Sequence, residues 1–370
     1  MKYPLSAPSI TALEKAYVNQ ALDDDWISGT GGFVTRFENA LAEKVQRKHC
    51  IAVSNGTDAL ELALLALGVG AGDEVIVPAL TFVAPAAVVA AVGAQPVFSD
   101  VYSNTWCISA GFMARLITPK TKAIIAVDVL GQCAAYDELA LIAGDIPIIE
   151  DAAEAHGAAY HEKPAGNFGT ISTFSFHPNK PLTTGEGGAV LTDDPALAAK
   201  MRLIANHGMT PDRPYMHDVV GHNYRLPNLS AAIGLAQVER WDELLEKRRQ
   251  VFAWYDAKLG DLLDTPEWGR RPLRGDNLYF GGSLESPWLY TLWHEQRDTI
   301  IAHLRSCGID ARAIWTPLVD LPVPEYQAGI RGDYPIARRI GYGAFWLPTS
   351  ANMMESDVQF ICEKVRATVS

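Results

Sequence analysis

The chain has 370 residues, enough for two or three domains with a substantial core. With 48% hydrophobic and 20% charged residues its composition is that of an ordinary soluble globular protein. Its 31 basic and 43 acidic residues give a formal net charge of -12, which argues against nucleic-acid or acidic-membrane partners and requires a local basic pocket for any anionic substrate.

In chain order, Met1 to Ser6 lacks the apolar core of a signal peptide. The small-apolar stretch from Val83 to Ala94 carries Pro85 and Gly93 and is too short to span a bilayer. Between Cys50 and Thr192, β-rich runs alternate with helical stretches: Ile51 to Ser54, Glu74 to Pro78, Pro96 to Asp100, Ala123 to Val129, Pro147 to Asp151 and Ile171 to Phe176. This alternation predicts an α/β fold of βα units with a mainly parallel sheet. A helix opening near Thr57 is apolar nearly all round through Leu67, so it should be buried, and Gly68, Gly70 and Gly72 should end it.

From Leu229 to about Leu259, apolar residues at helical spacing predict one long helix bridging a large and a small domain. Pro266 to Gly282 reads as a loop at the junction, followed by a small α+β domain with helices around Arg297 to Cys307 and Glu355 to Thr368. The expected division is residues 1–245 for an N-terminal segment with the large cofactor-binding domain, and 246–370 for the small C-terminal domain. Cys50, Cys107, Cys133, Cys307 and Cys362 are odd in number and scattered, with no Cys-x-x-Cys pair, and read as reduced thiols of a cytoplasmic protein.

Asp151 ends the apolar run Ile146 to Ile149, at the carboxyl end of a buried strand, where open α/β sheets place their ligands. Lys180 lies in the run Phe174 to Gly188, after a strand, with glycines at 185, 187 and 188 that admit close approach of a bulky group. Pyridoxal 5'-phosphate needs this pair: a lysine against its aldehyde and an aspartate that keeps its ring nitrogen protonated. A solvated loop lysine and a helix-capping aspartate are the plainer readings, but the joint placement favours the cofactor.

Ser54-Asn55-Gly56-Thr57, between strand and helix, offers free amides and a helix dipole to the cofactor phosphate, a role compatible with simple capping by Asn55 or Thr57. Thr81-Phe82 sets an aromatic ring at a strand end, with core packing as the alternative. His207, His217 and His222 share a loop with Pro211 and Pro214, without i,i+4 spacing or a nearby cysteine, so no metal is expected. Read alone, Asn223-Tyr224-Arg225 is a solvated loop before a helix. Trp288-Leu289-Tyr290 and Phe345-Trp346 read as small-domain core in preference to a substrate site.

Taken together, the motifs resemble the DegT/StrS family of sugar-nucleotide aminotransferases. The resemblance runs over Trp26-Ile27-Ser28 with Gly29 to Glu38, Ser54 to Thr57, Gly72 to Pro78, Thr81-Phe82, Glu150 to Gly157, Phe174 to Gly188, Asn223 to Arg225, Ala231 to Gln237 and Leu347 to Thr349. It implies the aspartate aminotransferase-like fold type I: a large domain with a mainly parallel seven-stranded sheet flanked by helices, and a small α+β domain. It further implies that Lys180 holds the cofactor and moves the proton, Asp151 pairs with the ring nitrogen and Phe82 stacks on the ring. Gly56, Thr57 and Ser175 would hold the phosphate, joined by Asn223 from the neighbouring subunit of a homodimer with shared sites, with a tetramer left open. Arg225 is implied for the donor carboxylate, and the loops containing Trp26, Ser28 and Trp315 for the sugar.

Glu154 departs from the glutamine or histidine that often faces the cofactor 3-hydroxyl in this family; an acid there must hold or share a proton. Glu154, Thr105 to Ile108 and the Asn179-Lys180 pair resemble the perosamine-forming branch. The dehydratase offshoot has histidine in place of Lys180. The implied reaction moves an amino group from L-glutamate to carbon four of a nucleotide-linked 4-keto-6-deoxyhexose, for a surface polysaccharide such as O-antigen. A dTDP- or UDP-linked 4-keto or 3-keto sugar is the nearest alternative. A pyridoxal phosphate-binding regulator is disfavoured by Lys180 and by the lack of a helix-turn-helix appendage.

Overall fold

The structure is a computed structural model and describes residues 1–210, 212–263, 268–270 and 284–368. Its first nine strands are β1 (His49–Val53), β2 (Glu74–Pro78), β3 (Gln95–Ser99), β4 (Thr121–Val127), β5 (Ile148–Asp151), β6 (Ala159–Tyr160), β7 (Lys163–Pro164), β8 (Ile171–Ser175) and β9 (Gly188–Thr192). Strands such as β2, β5 and β9 are buried along their whole length, as expected of a sheet covered on both faces by helices. Seven of them form one sheet in the order β1-β9-β8-β5-β4-β2-β3, while β6 and β7 pair in a separate hairpin. Neighbours from β3 to β8 are parallel, and β9 is antiparallel to both β8 and β1. The carboxyl ends of β1, β2, β4, β5 and β8 therefore meet along one rim. The helix Gly56–Leu67 buries Leu60, Leu62 and Leu64, and Gly68 ends it in the left-handed region with φ 73°.

The strand and helix at 188–205 are not foreseen by the sequence reading. β9 follows directly from the glycine loop, and its residues acquire strand geometry by inserting between β1 and β8. The expected long helix is two helices, Asn228–Glu239 and Trp241–Leu263. The chain turns at Arg240, whose guanidinium is bound by Glu14, Glu243 and the carbonyl of Ser9. β4 also ends at Val127, earlier than expected, because Val129–Gly131 forms a short turn with Leu130 in the left-handed region.

The second sheet is antiparallel and comprises β10 (Trp268–Arg270), β11 (Tyr290–His294), β12 (Arg312–Ala313) and β13 (Ala344–Leu347), in the order β10-β11-β13-β12. Of the expected loop 266–282, residues 268–270 thus form a strand, and the rest lies outside the described residues. Helices Arg297–Ser306 and Glu355–Arg366 fall close to where their periodicity placed them. The helix Trp241–Leu263 contributes Leu244 and Leu245 to the large core. Its Val251, Phe252, Tyr255 and Leu259 belong to the small one, with Tyr290, Leu292, Phe345 and Ile361.

Candidate active site

The loops leaving β1, β2, β5 and β8 enclose a cleft of about 740 Å³. Gly56 and Thr57 line it from the first loop, Thr81 and Phe82 from the second, Asp151 and Glu154 from the third, and Ser175 and Lys180 from the fourth, with Trp288, Trp315 and Trp346 opposite.

The Lys180 amide donates to the His177 carbonyl (2.9 Å), closing the turn after β8. Its Nζ lies 3.8 Å from Glu154 Oε1 and 3.7 Å from the centroid of the Trp288 ring. Burial lowers the amine pKa from its ordinary value, while Glu154 and Asp151 oppose that shift. A desolvated amine titrates closer to neutrality, which favours its use as nucleophile and proton carrier.

Asp151 ends β5 in register with Val127 and Thr173, and its Oδ1 accepts the Ala153 amide (3.1 Å). Burial raises its pKa to about 6, against the pull of that amide and of the Lys180 charge. Glu154 Oε2 accepts the Leu130 amide (2.7 Å), which the left-handed turn aims at it. Burial raises its pKa to about 7; Lys180 and the Leu130 amide draw it down, and Asp151 pushes it up. Glu154 therefore holds a proton more readily than an ordinary carboxyl. Such a group can stand beside a phenolate without an unrelieved repulsion.

At the helix Gly56–Leu67 the cap falls to Asn55, whose Oδ1 accepts the Asp58 amide (2.8 Å). First-turn amides have no intrahelical acceptor, so those of Gly56 and Thr57 remain for an anion. The cradle needs its glycines: a Cβ on Gly56 would come within 2.8 Å of Ser175 Cβ, and one on Gly188 within 2.3 Å of the Asn55 carbonyl oxygen. Two buried polar atoms from cleft-lining residues, Thr81 Oγ1 and Trp346 Nε1, have no hydrogen-bond partner among the described residues. Thr81 is only 1% exposed, and its hydroxyl is available to a polar group bound in the cleft. A lysine whose side chain is only 11% exposed, a strand-end carboxylate, an exposed Phe82 ring and an anion cup around one cleft fit pyridoxal phosphate.

Four expected residues lie elsewhere on this chain. Arg225 Nε donates to Asn223 Oδ1 (2.9 Å), and a Cβ on Gly29 would come within 2.8 Å of Arg225 Cβ, so the Trp26–Gly29 segment packs beside this pair. Trp26 is 50% exposed, and Ser28 and Asn223 are exposed with it. The loop histidines have local partners: His217 Nδ1 bonds the His207 carbonyl (2.8 Å), and His222 stacks on Tyr224.

The aromatic motifs of the small domain divide. Tyr290 and Phe345 are in its core as expected, whereas Trp288 and Trp346 face the cleft. Strand alternation could have separated Phe345 from Trp346, since adjacent side chains point to opposite faces. Nothing local marks Trp288.

This sheet order and this cleft define a fold type I pyridoxal phosphate-dependent aminotransferase. The profile of the DegT/DnrJ/EryC1/StrS aminotransferase family matches residues 8–366, and the chain belongs to that family. It is 42% identical over 361 residues to the GDP-perosamine synthase of Caulobacter vibrioides, covering 96% of this chain and 95% of that one. It is also 38% identical over 370 residues to the GDP-perosamine synthase of Escherichia coli O157:H7, covering 99% and 98%. Among solved structures, the aminotransferase TlmJ from Streptoalloteichus hindustanus matches with a TM-score of 0.92 at 28% identity, over 100% of this chain and 99% of that one.

Proposed function

We propose that the chain transfers an amino group from L-glutamate to carbon four of a GDP-linked 4-keto-6-deoxyhexose. The observation that carries this reading is the 42% identity, over almost the whole of both chains, to a GDP-perosamine synthase. The cofactor, when bound, supplies an electron sink. Lys180 Nζ holds it and carries the proton to and from the substrate carbon that bears nitrogen, a step in which position counts for more than intrinsic basicity. Asp151 would keep the ring nitrogen protonated, Phe82 would pack on the ring, and Glu154 would share a proton with the ring oxygen. Gly56, Thr57 and Ser175 bind the phosphate.

On the substrate side, Trp315 stacks near Trp288 (centroids 6.5 Å apart) and meets Trp346 edge-on (5.2 Å). Such a wall suits the apolar face and methyl group of a 6-deoxy sugar, and Trp346 Nε1 is free to donate to one of its oxygens. The test is mass spectrometry of protein incubated with pyridoxal phosphate, L-glutamate and either GDP-4-keto-6-deoxymannose or dTDP-4-keto-6-deoxyglucose. A 4-amino sugar from the GDP substrate alone is the expected result. Product from the dTDP substrate alone would overturn the nucleotide assignment.

The working unit in this reading is a homodimer in which Asn223, Arg225 and the Trp26–Ser28 segment complete the partner's cleft. Its support is that the segments 26–29 and 223–225 pack together without lining the cleft of their own chain, with Trp26, Ile27, Ser28 and Asn223 exposed. Mixing inactive Lys180→Ala subunits with Asn223→Asp subunits places one intact site in each mixed dimer. Random exchange should then restore up to about a quarter of wild-type activity. Activity no greater than the sum of the separate variants would exclude shared sites. Five free cysteines, and the absence among the described residues of a helix long and apolar enough to cross a membrane, support a cytoplasmic enzyme that makes an amino sugar for a surface polysaccharide such as O-antigen.

A further inference from the structure

Arg248, on the helix Trp241–Leu263, is 1% exposed, and no carboxylate among the described residues pairs with it. Burial lowers its pKa to about 10, so it stays charged at any working pH. An unpaired buried cation is costly and calls for a compensating role. Its guanidinium is bound by neutral acceptors: Nη1 donates to the carbonyls of Trp288 (3.1 Å) and Thr349 (3.0 Å), and Nη2 to the Ser6 hydroxyl (3.0 Å) and the Lys180 carbonyl (3.3 Å). These acceptors belong to four separate stretches: the N-terminal segment, the loop after β8, the approach to β11 and the exit from β13.

Two of the four bear on the reacting amine. One is the backbone of Lys180 itself. The other is the backbone of Trp288, whose ring centroid lies 3.7 Å from Lys180 Nζ and whose indole N–H donates to the Asn179 carbonyl (2.8 Å). Lysine loop and tryptophan are thus joined twice, once through the indole and once through the guanidinium. Thr349 brings in the small-domain strand, since its hydroxyl accepts the Tyr290 amide (3.0 Å).

We propose that Arg248 is a positioning residue for amino transfer: its planar fork locks the Lys180 backbone, Trp288 and the β13 exit into one unit that fixes where Nζ stands. This rests on Lys180 as the cofactor-bearing residue. A guanidinium presents five donors in a rigid plane, whereas an ammonium has three on a compact head, so lysine should not substitute for it.

The test uses Arg248→Lys and Arg248→Met in the full-length enzyme loaded with pyridoxal phosphate. Three readouts apply: bound-cofactor absorbance against pH, melting temperature of the cofactor-free protein, and kcat against KM for both substrates. Displacement of a reacting group by about 1 Å can cost about 10²-fold. Arg248→Lys is accordingly expected to lose about 10- to 100-fold in kcat with KM nearly unchanged, and to shift the midpoint of the absorbance titration. Arg248→Met should do at least as much in kcat and also lower the melting temperature, because the acceptors at Trp288, Thr349, Ser6 and Lys180 lose their donor. Wild-type kcat and an unshifted titration in Arg248→Lys would overturn the proposal, and that variant decides the matter if Arg248→Met does not fold. A kcat loss that merely tracks a lower folded or loaded fraction would also overturn it, reducing Arg248 to a structural role. Failure of the underlying assignment is seen separately: borohydride trapping of the wild-type enzyme, followed by peptide mapping, would then mark a lysine other than Lys180.

Discussion

Lys180→Ala is expected to lower turnover by at least about 10⁴-fold, the upper range of what a positioned acid–base group contributes, since this variant loses the covalent attachment as well. Pyridoxal phosphate should still bind. The phosphate cup is built on the helix after β1 and the end of β8, and the Asp151 carboxylate on β5, none of which depends on the lysine side chain. Removing the amine also deprives Glu154 and Asp151 of a charge that draws both pKa values down, so both carboxyls should hold protons more firmly than in the wild type. Single-turnover measurement with L-glutamate, beside equilibrium binding of the cofactor, separates the two effects. Turnover near the wild-type level would remove Lys180 from the chemistry.

Asp151→Asn is expected to cost about 10²- to 10³-fold, the usual consequence of losing one preorganised electrostatic partner at the reacting centre. An amide of the same shape can hydrogen-bond the ring nitrogen but does not stabilise its proton. The variant should load with cofactor yet turn over slowly with both substrates, and a loss confined to KM would contradict this role. Burial also imposes a pH signature on the cofactor-free protein. The folded pKa values of Asp151 and Glu154, about 6 and about 7, are both raised above the ordinary carboxyl values of 3.8 and 4.5. Between the unfolded and folded values, the native state therefore binds more protons than the unfolded chain. The stability these carboxyls contribute is complete below the unfolded pKa and is lost as pH rises through about 6 to 7. The melting temperature of the cofactor-free wild type should fall across this window more steeply than that of Asp151→Asn or Glu154→Gln. Equal slopes would show that the two carboxyls are not carrying the effect.

Much of the site was legible in the sequence because its signals are local. An aspartate closing an apolar run, a lysine inside a glycine-bearing loop and a helix apolar on every side each lie within about a dozen residues, and period and turn chemistry suffice to read them. The resemblance to a known family added the roles of Phe82, Glu154 and Ser175, which the folded chain brings to one cleft. The turn at Arg240, the placement of β9 and the direction of Trp288 were not legible, since each depends on partners distant in sequence. Arg248 shows the difference most sharply. Within its helix it reads as one of several basic residues. Its acceptors, however, lie 242, 68, 40 and 101 residues away, at Ser6, Lys180, Trp288 and Thr349. Local sequence determined which residues could do chemistry at the strand ends; long-range packing, which sets burial and with it the cost and reach of every charge, decided which of them stand together.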